Sequence, residues 1–430
     1  MTRSTGLDPG RAHWDPEIQT LPRNALLALQ LERLNRQAAR AFDVPVPFFR
    51  RKLEAAGVGR DGLASLDDLQ RVPLTVKQEL RDSEAEHPPF GDYRGARATD
   101  CVRMATTTGT SGRPTILLWT RKDLEIDYEA NARNQWRAGV RPGDRIYVTA
   151  HPGYLNGGEA LVRGAMEYFG LLTISVGPPD DEGEMRKAIE LFRMVKPTQY
   201  RFFPGAWKKY YEFAKQLGLD PEADLGMAAS EPDPRAQYRS ASAGADAFPY
   251  LGTACAEDRG AHMCDDLIIV ESVDPATGRR LPAGSRGHLV VTTLERDNFV
   301  IRYDLEDVVH IEDDPCACGE TSARVFWHGR AKDVVRVGDK QLLPIDVELA
   351  MLEFSALMGP ATFFQLVRKR SQPQRSLIVR IEPERDDAVD RAKVQERIAS
   401  ELGVPVEIEW VARGRTPRAS YKSEYVVDEG

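Results

Sequence analysis

The chain has 430 residues, 42% of them hydrophobic and 29% charged, which suits a soluble globular protein of about two or three domains with a large buried core. A net charge of -8 and an isoelectric point near 5.6 argue against nucleic acid or an anionic membrane as partner. No apolar run approaches the roughly 18 residues that span a bilayer.

The N-terminal stretch MTRSTGLDPGRAHWDPE lacks the apolar core of a secretory signal, so a cytoplasmic location is the expectation. Helical spacing begins near Ala25 and puts Leu27, Leu31, Leu34 and Ala38 on one face; a second helix is expected over Pro47 to Ala56. SLDDLQRVPLTVKQELRDS reads as two short helices with Ser65 and Thr75 as N-caps. From Arg121 to Gly139 the pattern predicts a long helix. Strands and helices then alternate: strand Ile146 to Thr149, helix Glu159 to Phe169, strand Leu172 to Val176, helix Met185 to Met194, an extended Thr198 to Phe203 and helix Ala206 to Leu217. Residues 228–260 are the least regular, and strands resume at Leu267 to Val270 and His288 to Thr293. A boundary near Gly329 divides the chain into 1–328 and 329–430. The expected fold class is a large N-terminal α/β domain of layered sheets and helices, followed by a small mobile C-terminal α+β domain.

One stretch stands out chemically. TTTGTSGRPT, Thr106 to Thr115, fills ten positions with hydroxyls, two glycines, an arginine and a proline, and an apolar segment follows at once. Glycines let backbone N–H groups turn toward an anion, hydroxyls add donors and Arg113 adds a fixed charge. The composition fits a phosphate loop joining two strands, and it also fits a plain polar loop. It is not a Walker A sequence.

Read together with the later motifs, the chain resembles the adenylate-forming superfamily and, within it, the phenylacetate-CoA ligase family, from about Asn35 to Asp428. TTGTSGRP at Thr107 to Pro114 is similar to the family's S-S-G-T-T-G-K-P loop, with Arg113 in the lysine position. SEP at Ser230 to Pro232 resembles the G-S-E-P turn before the acyl pocket. RYDLEDV, Arg302 to Val308, is similar to R-Y-R-T-G-D-L, and HGRAKDVVRVGDKQLLPIDVE, His328 to Glu348, resembles the hinge and the hairpin opening the small domain. YKSEYVVD, Tyr421 to Asp428, resembles G-K-A-x-R-V-V-D, with Tyr421 where a glycine normally stands. The family's Y-G-x-T-E motif has only AFPYLGTACAED as counterpart, with Glu257 as the candidate magnesium acid.

The resemblance implies a two-step ligase. Thr107, Thr108, Gly109, Thr110, Ser111, Gly112 and Arg113 would surround the phosphates of magnesium ATP, with Tyr250 and Arg330 also at the nucleotide. Asp307 would hold the ribose hydroxyls, since two carboxylate oxygens can accept from two hydroxyls. Lys422 would be the catalytic lysine, a cation where negative charge accumulates. Lys332 would be the hinge, and the hairpin around Gly338 would serve the thiol step with coenzyme A. Tyr154, Gly158, Phe203, Gly205, Trp207 and Ala229 would line a pocket suited to a planar aryl acid. Taken as residues alone, Asp307 also reads as a solvated strand-end acid, Arg330 as a surface arginine and Lys422 as a tail lysine.

Cys255 and His262, with Cys316 and Cys318 in DPCACGETSAR, resemble a structural zinc site of some family members, and Cys264 is a rival for one position. The partners expected are a small aryl substrate, with a carrier protein and a homodimer as further options and no nucleic acid or membrane. Three alternatives to the CoA ligase are carried forward: a carrier-protein thiol or amine as acceptor, nitrite activated to diazotise an aryl amine, and a degenerate member that binds nucleotide without turnover.

Overall fold

Residues 23–43 form a helix because their apolar side chains recur at helical spacing. The computed structural model of the chain describes residues 10–44, 47–106, 115–149, 158–176, 179, 181–201, 206–227, 240–241, 250–257, 259–354, 358, 362–370, 373–385, 390–412, 414–416 and 425–429. After the short α1 (Pro16–Gln19) come α2 (Arg23–Asp43) and α3 (Pro47–Ala55). The buried face of α2 carries Leu26, Gln30, Leu34, Ala38 and Ala41, while Leu27, expected inward, is 37% exposed. Gln30 decides that rotation, because its amide donates to the carbonyls of Asp265 and Ile268 at 2.7 and 3.1 Å.

Ser65 caps Leu66–Arg71 in a reciprocal box with Asp68, but the element is a 3-10 helix. Thr75 does not cap the next helix, contrary to expectation. Its hydroxyl donates to the Ile301 carbonyl at 2.8 Å and its backbone joins Tyr303 in a parallel bridge. The cap of α4 (Lys77–Glu86) falls to Val76, whose N–H donates to Glu79 at 2.9 Å. A tertiary bridge has outcompeted a local one.

β1 (Cys101–Thr106) and β2 (Ile116–Thr120) form an antiparallel hairpin in which Thr106 faces Ile116 across the base of the intervening loop. Thr120 then caps α5 (Arg121–Arg137) in a box with Asp123. β3 (Arg145–Thr149), α6 (Gly158–Phe169), β4 (Leu172–Val176), α7 (Glu182–Val195) and β5 (Gln199–Arg201) build a parallel sheet of order β4-β3-β5. α8 (Ala206–Gln216) and α9 (Pro221–Leu225) follow. Side chains alternate across β3. Ile146 and Val148 pack with Trp136 and Phe169 on one side, and Tyr147 packs with Ile189, Phe192 and Tyr210 on the other. Cover on both faces explains why the strand reads as a continuous apolar run.

A seven-stranded sheet of order β6-β7-β8-β12-β11-β10-β9 comprises β6 (Ser240–Ala241), β7 (Gly252–Thr253), β8 (Ala261–Met263), β9 (Ile268–Val273), β10 (Gly287–Thr293), β11 (Tyr303–Glu312) and β12 (Arg324–Arg330). Its apolar side chains share one core with Leu34, Phe49 and Leu80.

The described residues divide into two compact units, the second holding residues 306–308 and those from 328 onward. In that second unit a hairpin of β13 (Val335–Val337) and β14 (Lys340–Leu342) precedes α10 (Pro344–Met351). β15 (Phe363–Lys369), β16 (Leu377–Glu382), β17 (Val406–Trp410) and β18 (Val426–Glu429) form a sheet of order β17-β16-β15-β18, with α11 (Arg391–Leu402) crossing between the parallel β16 and β17. Val394 and Ile398 of α11 and Val347 and Ala350 of α10 are buried with Leu366, Val379 and Ile381. The chain thus combines a large α/β unit of layered sheets and helices with a small α+β unit. No helix among the described residues is long and apolar enough to cross a membrane.

Candidate active site and metal centre

Cys255 opens a turn just after β7, His262 lies in β8, and Cys316 and Cys318 lie in the connection from β11 to β12. Because β8 pairs with β12, with His262 opposite Arg324, these segments meet, and the four ligand atoms lie within 4.8 Å of one another. Cys255 Sγ is 3.8 Å from Cys316 Sγ, and Cys318 Sγ is 3.4 Å from His262 Nε2. Tetrahedral zinc, with Zn–S near 2.3 Å and Zn–N near 2.0 Å, needs sulfur–sulfur edges of about 3.8 Å and sulfur–nitrogen edges of about 3.5 Å. The spacing therefore fits. The other ring nitrogen, Nδ1, is 3.1 Å from Ser322 Oγ, which fixes the orientation of the imidazole.

Backbone donors reinforce the sulfurs. The Glu320 N–H donates to Cys318 Sγ at 3.4 Å, with Gly319 at φ +88° making the turn, and the Glu257 N–H donates to Cys255. A hydrogen bond from Cys318 holds the Cys255 thiol down to about 3 against its burial, with His262 helping, and that same bond pushes Cys318 up. Cys264 stands outside this set. It is buried beside Arg137 and Arg133, and burial raises its thiol. The side chain of Glu257, the candidate magnesium acid, is exposed in the turn after Cys255.

Arg137, the last residue of α5, ties this loop to the interior. Its guanidinium donates to Glu320 at 2.7 and 2.8 Å and to the carbonyls of His262 and Met263 at 3.1 and 3.4 Å. Burial would raise the Glu320 carboxyl, but Arg137 outweighs it and holds it at about 2. One turn earlier Arg133 pairs with Asp266 at 2.5 Å. Neither arginine is singled out by its sequence neighbours. Their only sequence signal is their place near the end of a long predicted helix.

Asp307 in β11 and Arg330 at the end of β12 form an ion pair at 2.5 Å in which the aspartate side chain is 5% exposed and the arginine 52%. Tyr250 is buried just ahead of β7. Trp207 in α8 is half-buried and stacks on Tyr211 with ring centroids 4.9 Å apart. Gly158 begins α6. Lys332 is exposed in the turn Ala331–Asp333, and its carbonyl accepts from Arg368 at 2.5 Å. Thr107 to Arg113, Tyr154, Phe203, Gly205, Ala229, Ser230 to Pro232 and Lys422 lie outside the described residues.

Arg302, which opens RYDLEDV, is a bolt rather than a ligand. It is 1% exposed, and its guanidinium donates to Glu271 at 3.0 and 3.2 Å and to the carbonyls of Gln70, Val72 and Gly278 at 3.1, 2.9 and 2.7 Å. Its φ of +46°, and the +57° of Glu306, put two non-glycine residues of this motif in the left-handed region.

Over 411 aligned residues the chain is 31% identical to a phenylacetate-coenzyme A ligase of Thermus thermophilus, covering 91% of this chain and 87% of that one. The chain belongs to the phenylacetate-coenzyme A ligase family. A phenylacetate-coenzyme A ligase of Escherichia coli is 28% identical, covering 100% of this chain and 98% of that one. Residues 340–430 match the family described as AMP-binding enzyme C-terminal domain. Among solved structures, 2-hydroxyisobutyryl-CoA ligase in the postadenylation state with R3-HIB-AMP aligns with a TM-score of 0.83 at 27% identity, over 100% of this chain and 95% of that one. The protein is accordingly an AMP-forming, adenylate-forming ligase.

Proposed function

We propose that the protein activates an aromatic carboxylic acid as an acyl-adenylate, releasing pyrophosphate, and passes the acyl group to coenzyme A. The observation that carries this reading is the 31% identity to a phenylacetate-coenzyme A ligase across 91% of the chain. In this reading the substrate carboxylate attacks the α-phosphorus of ATP while Thr107, Thr108, Gly109, Thr110, Ser111, Gly112 and Arg113 hold the phosphates and Lys422 offsets charge at the reacting centre. Magnesium, when bound, supplies further neutralisation of the triphosphate. Tyr250 packs at the nucleotide. Asp307 accepts from the ribose hydroxyls, since two carboxylate oxygens can accept from two hydroxyls. Arg330, its ion-pair partner, orients the acid. Tyr154, Gly158, Phe203, Gly205, Trp207 and Ala229 line the acyl pocket. Lys332 absorbs the change in backbone torsion between the two half-reactions.

Cys255, His262, Cys316 and Cys318 act as a closed structural zinc site. Three thiolates and one imidazole leave no open coordination position, so the metal would join the turn at 255–263 to the one at 316–318 and take no part in the chemistry. Such thiols suit a reducing cytoplasm. Purified protein is expected to carry stoichiometric zinc, and Cys316→Ser to lose it. A folded wild-type protein free of zinc after preparation with zinc present would remove the assignment.

A second reading, activation of a small 2-hydroxy acid, is favoured by one observation: the structural neighbour at 27% identity is named 2-hydroxyisobutyryl-CoA ligase. Pyrophosphate release from ATP across aryl acids, short alkyl and 2-hydroxy acids, and nitrite with an aryl amine, each with and without coenzyme A, separates the readings. Release with an aryl acid, stimulated by coenzyme A, is the expected result. Release indifferent to coenzyme A would move the acceptor to a carrier-protein thiol or an amine, and a stronger response to a 2-hydroxy acid would overturn the aromatic assignment.

A further inference from the structure

A loop that aims N–H groups at a triphosphate is only as well placed as its two ends. At one end Thr106 is held by its pairing with Ile116. At the other, Ile116 belongs to a two-stranded sheet, so among the described residues the outer edge of β2 has no neighbouring strand. That edge is met by side chains instead. The Ile116 N–H donates to Glu84 Oε1 at 3.2 Å, and the Ile116 carbonyl accepts a short hydrogen bond from Arg94 Nη2. Together an acceptor and a donor reproduce the two bonds that a next strand would make to a single residue.

The clamp is itself built into the interior. Glu84, in α4, is 0% exposed, and Tyr93 donates to the same Oε1 at 2.6 Å. The Arg94 guanidinium lies 4.0 Å from the centroid of the Tyr93 ring, donates to the Tyr93 hydroxyl at 2.6 Å, and reaches Glu84 at 3.5 Å and the Phe90 carbonyl at 3.2 Å. A β-carbon on Gly95 would lie 2.0 Å from the carbonyl oxygen of Asp297, so the Arg94 segment lies hard against residues 297–299. Those residues hold the far end of the hairpin, since Asn298 donates to the Leu118 carbonyl at 3.2 Å and Thr120 donates to Asp297 at 2.8 Å. Acid and guanidinium offset each other, so the clamp adds no net charge beside a polyanion.

We infer that Glu84 and Arg94 are positioning residues for the ATP half-reaction, fixing the Ile116 peptide and hence the exit of the phosphate loop. The inference rests on the proposed role of residues 107–113. Neither residue is assigned a contact with substrate.

The test uses full-length Glu84→Gln and Arg94→Lys, each close to the native shape. Three quantities are measured: ATP affinity by calorimetry, the KM for ATP in acid-dependent pyrophosphate exchange, and the rate at which supplied acyl-adenylate is converted to thioester with coenzyme A. A lost charge-assisted hydrogen bond corresponds to about tenfold, so ATP affinity is expected to weaken and the KM for ATP to rise by roughly that factor. The KM for the acid and the thioester rate from supplied adenylate should hold. A plain loss of folded protein would instead lower every rate together at unchanged KM. That outcome in both variants, or an unchanged ATP affinity in a folded variant, overturns the inference. A wild-type enzyme that exchanges no pyrophosphate with any acid strikes the functional proposal instead.

Discussion

Arg296 and Asp127, 3% and 0% exposed and 2.5 Å apart, sit inside the large unit, whereas Arg368 and Asp428, 26% and 69% exposed and 2.6 Å apart, fasten the edge of the small unit's sheet. Three further pairs of each unit repeat the contrast, while the large unit also carries exposed pairs such as Arg60 with Asp43. Arg133 with Asp266, Arg137 with Glu320 and Arg302 with Glu271 are buried pairs of the large unit. The small unit's Arg380 with Glu409, Lys369 with Glu429 and Arg397 with Glu401 stand in water. Buried ions have lost their hydration, so each depends on its partner. Exposed ions keep most of theirs and gain little from pairing. The buried pairs must stay paired; the exposed ones can exchange partners at small cost.

Arg296→Ala leaves Asp127 and Asp123 buried without their cation. A loss of about 3–5 kcal/mol is expected. Urea unfolding followed by tryptophan fluorescence checks it, since of the six tryptophans Trp410 alone belongs to the small unit. A loss under about 1 kcal/mol would mean that interior pairs behave like surface ones. Next in size is Gly95→Ala, where the added methyl meets the Asp297 carbonyl, with an expected loss of about 1–3 kcal/mol in the same assay.

Acid acts on the two kinds of pair through their carboxylates. Burial pushes the Asp266 carboxyl up, but Arg133 and Arg33 outweigh it and leave it below the ordinary aspartate value. Since the folded value is the lower one, this stabilisation is complete above about pH 4 and is lost as the pH falls through the folded value. The hydrogen bond from Arg368 depresses Asp428 with the same sign. The difference between wild type and Asp428→Asn in acid titrations should change between low and high salt, and that between wild type and Asp266→Asn should not, because only the exposed pair is screened. The smallest effect belongs to Arg368→Ala. It is expected to cost under about 1 kcal/mol and to vanish near 1 M salt, as read by hydrogen exchange in β15 and β18.

Features set by neighbours in sequence were legible before the structure. The alternation from Ile146 to Leu217 announced its helices and strands, and the Cys-x-Cys-Gly turn announced the two thiols that come within 4.8 Å of Cys255 and His262. Features set by partners far along the chain were not. Nothing near Thr75 shows that its hydroxyl is claimed by residue 301, and nothing near Glu84 shows that it will meet an N–H 32 residues later. Leu27 and Leu26 are equally apolar, and only the reach of Gln30 to Asp265 and Ile268 settles which one turns inward. Asp307 and Arg330 were each named singly, while their pairing depended on β11 lying beside β12.

The 17 residues of α5 span about 25 Å at 1.5 Å per residue. Thr120 pins the start of the helix to Asp297, and Arg137 pins its end to Glu320 and the carbonyl of His262. An element fastened at both ends makes a fiducial. Probes placed on its half-buried or exposed positions share one rigid frame, and displacements elsewhere in the enzyme during turnover can be surveyed against it as against a fixed baseline.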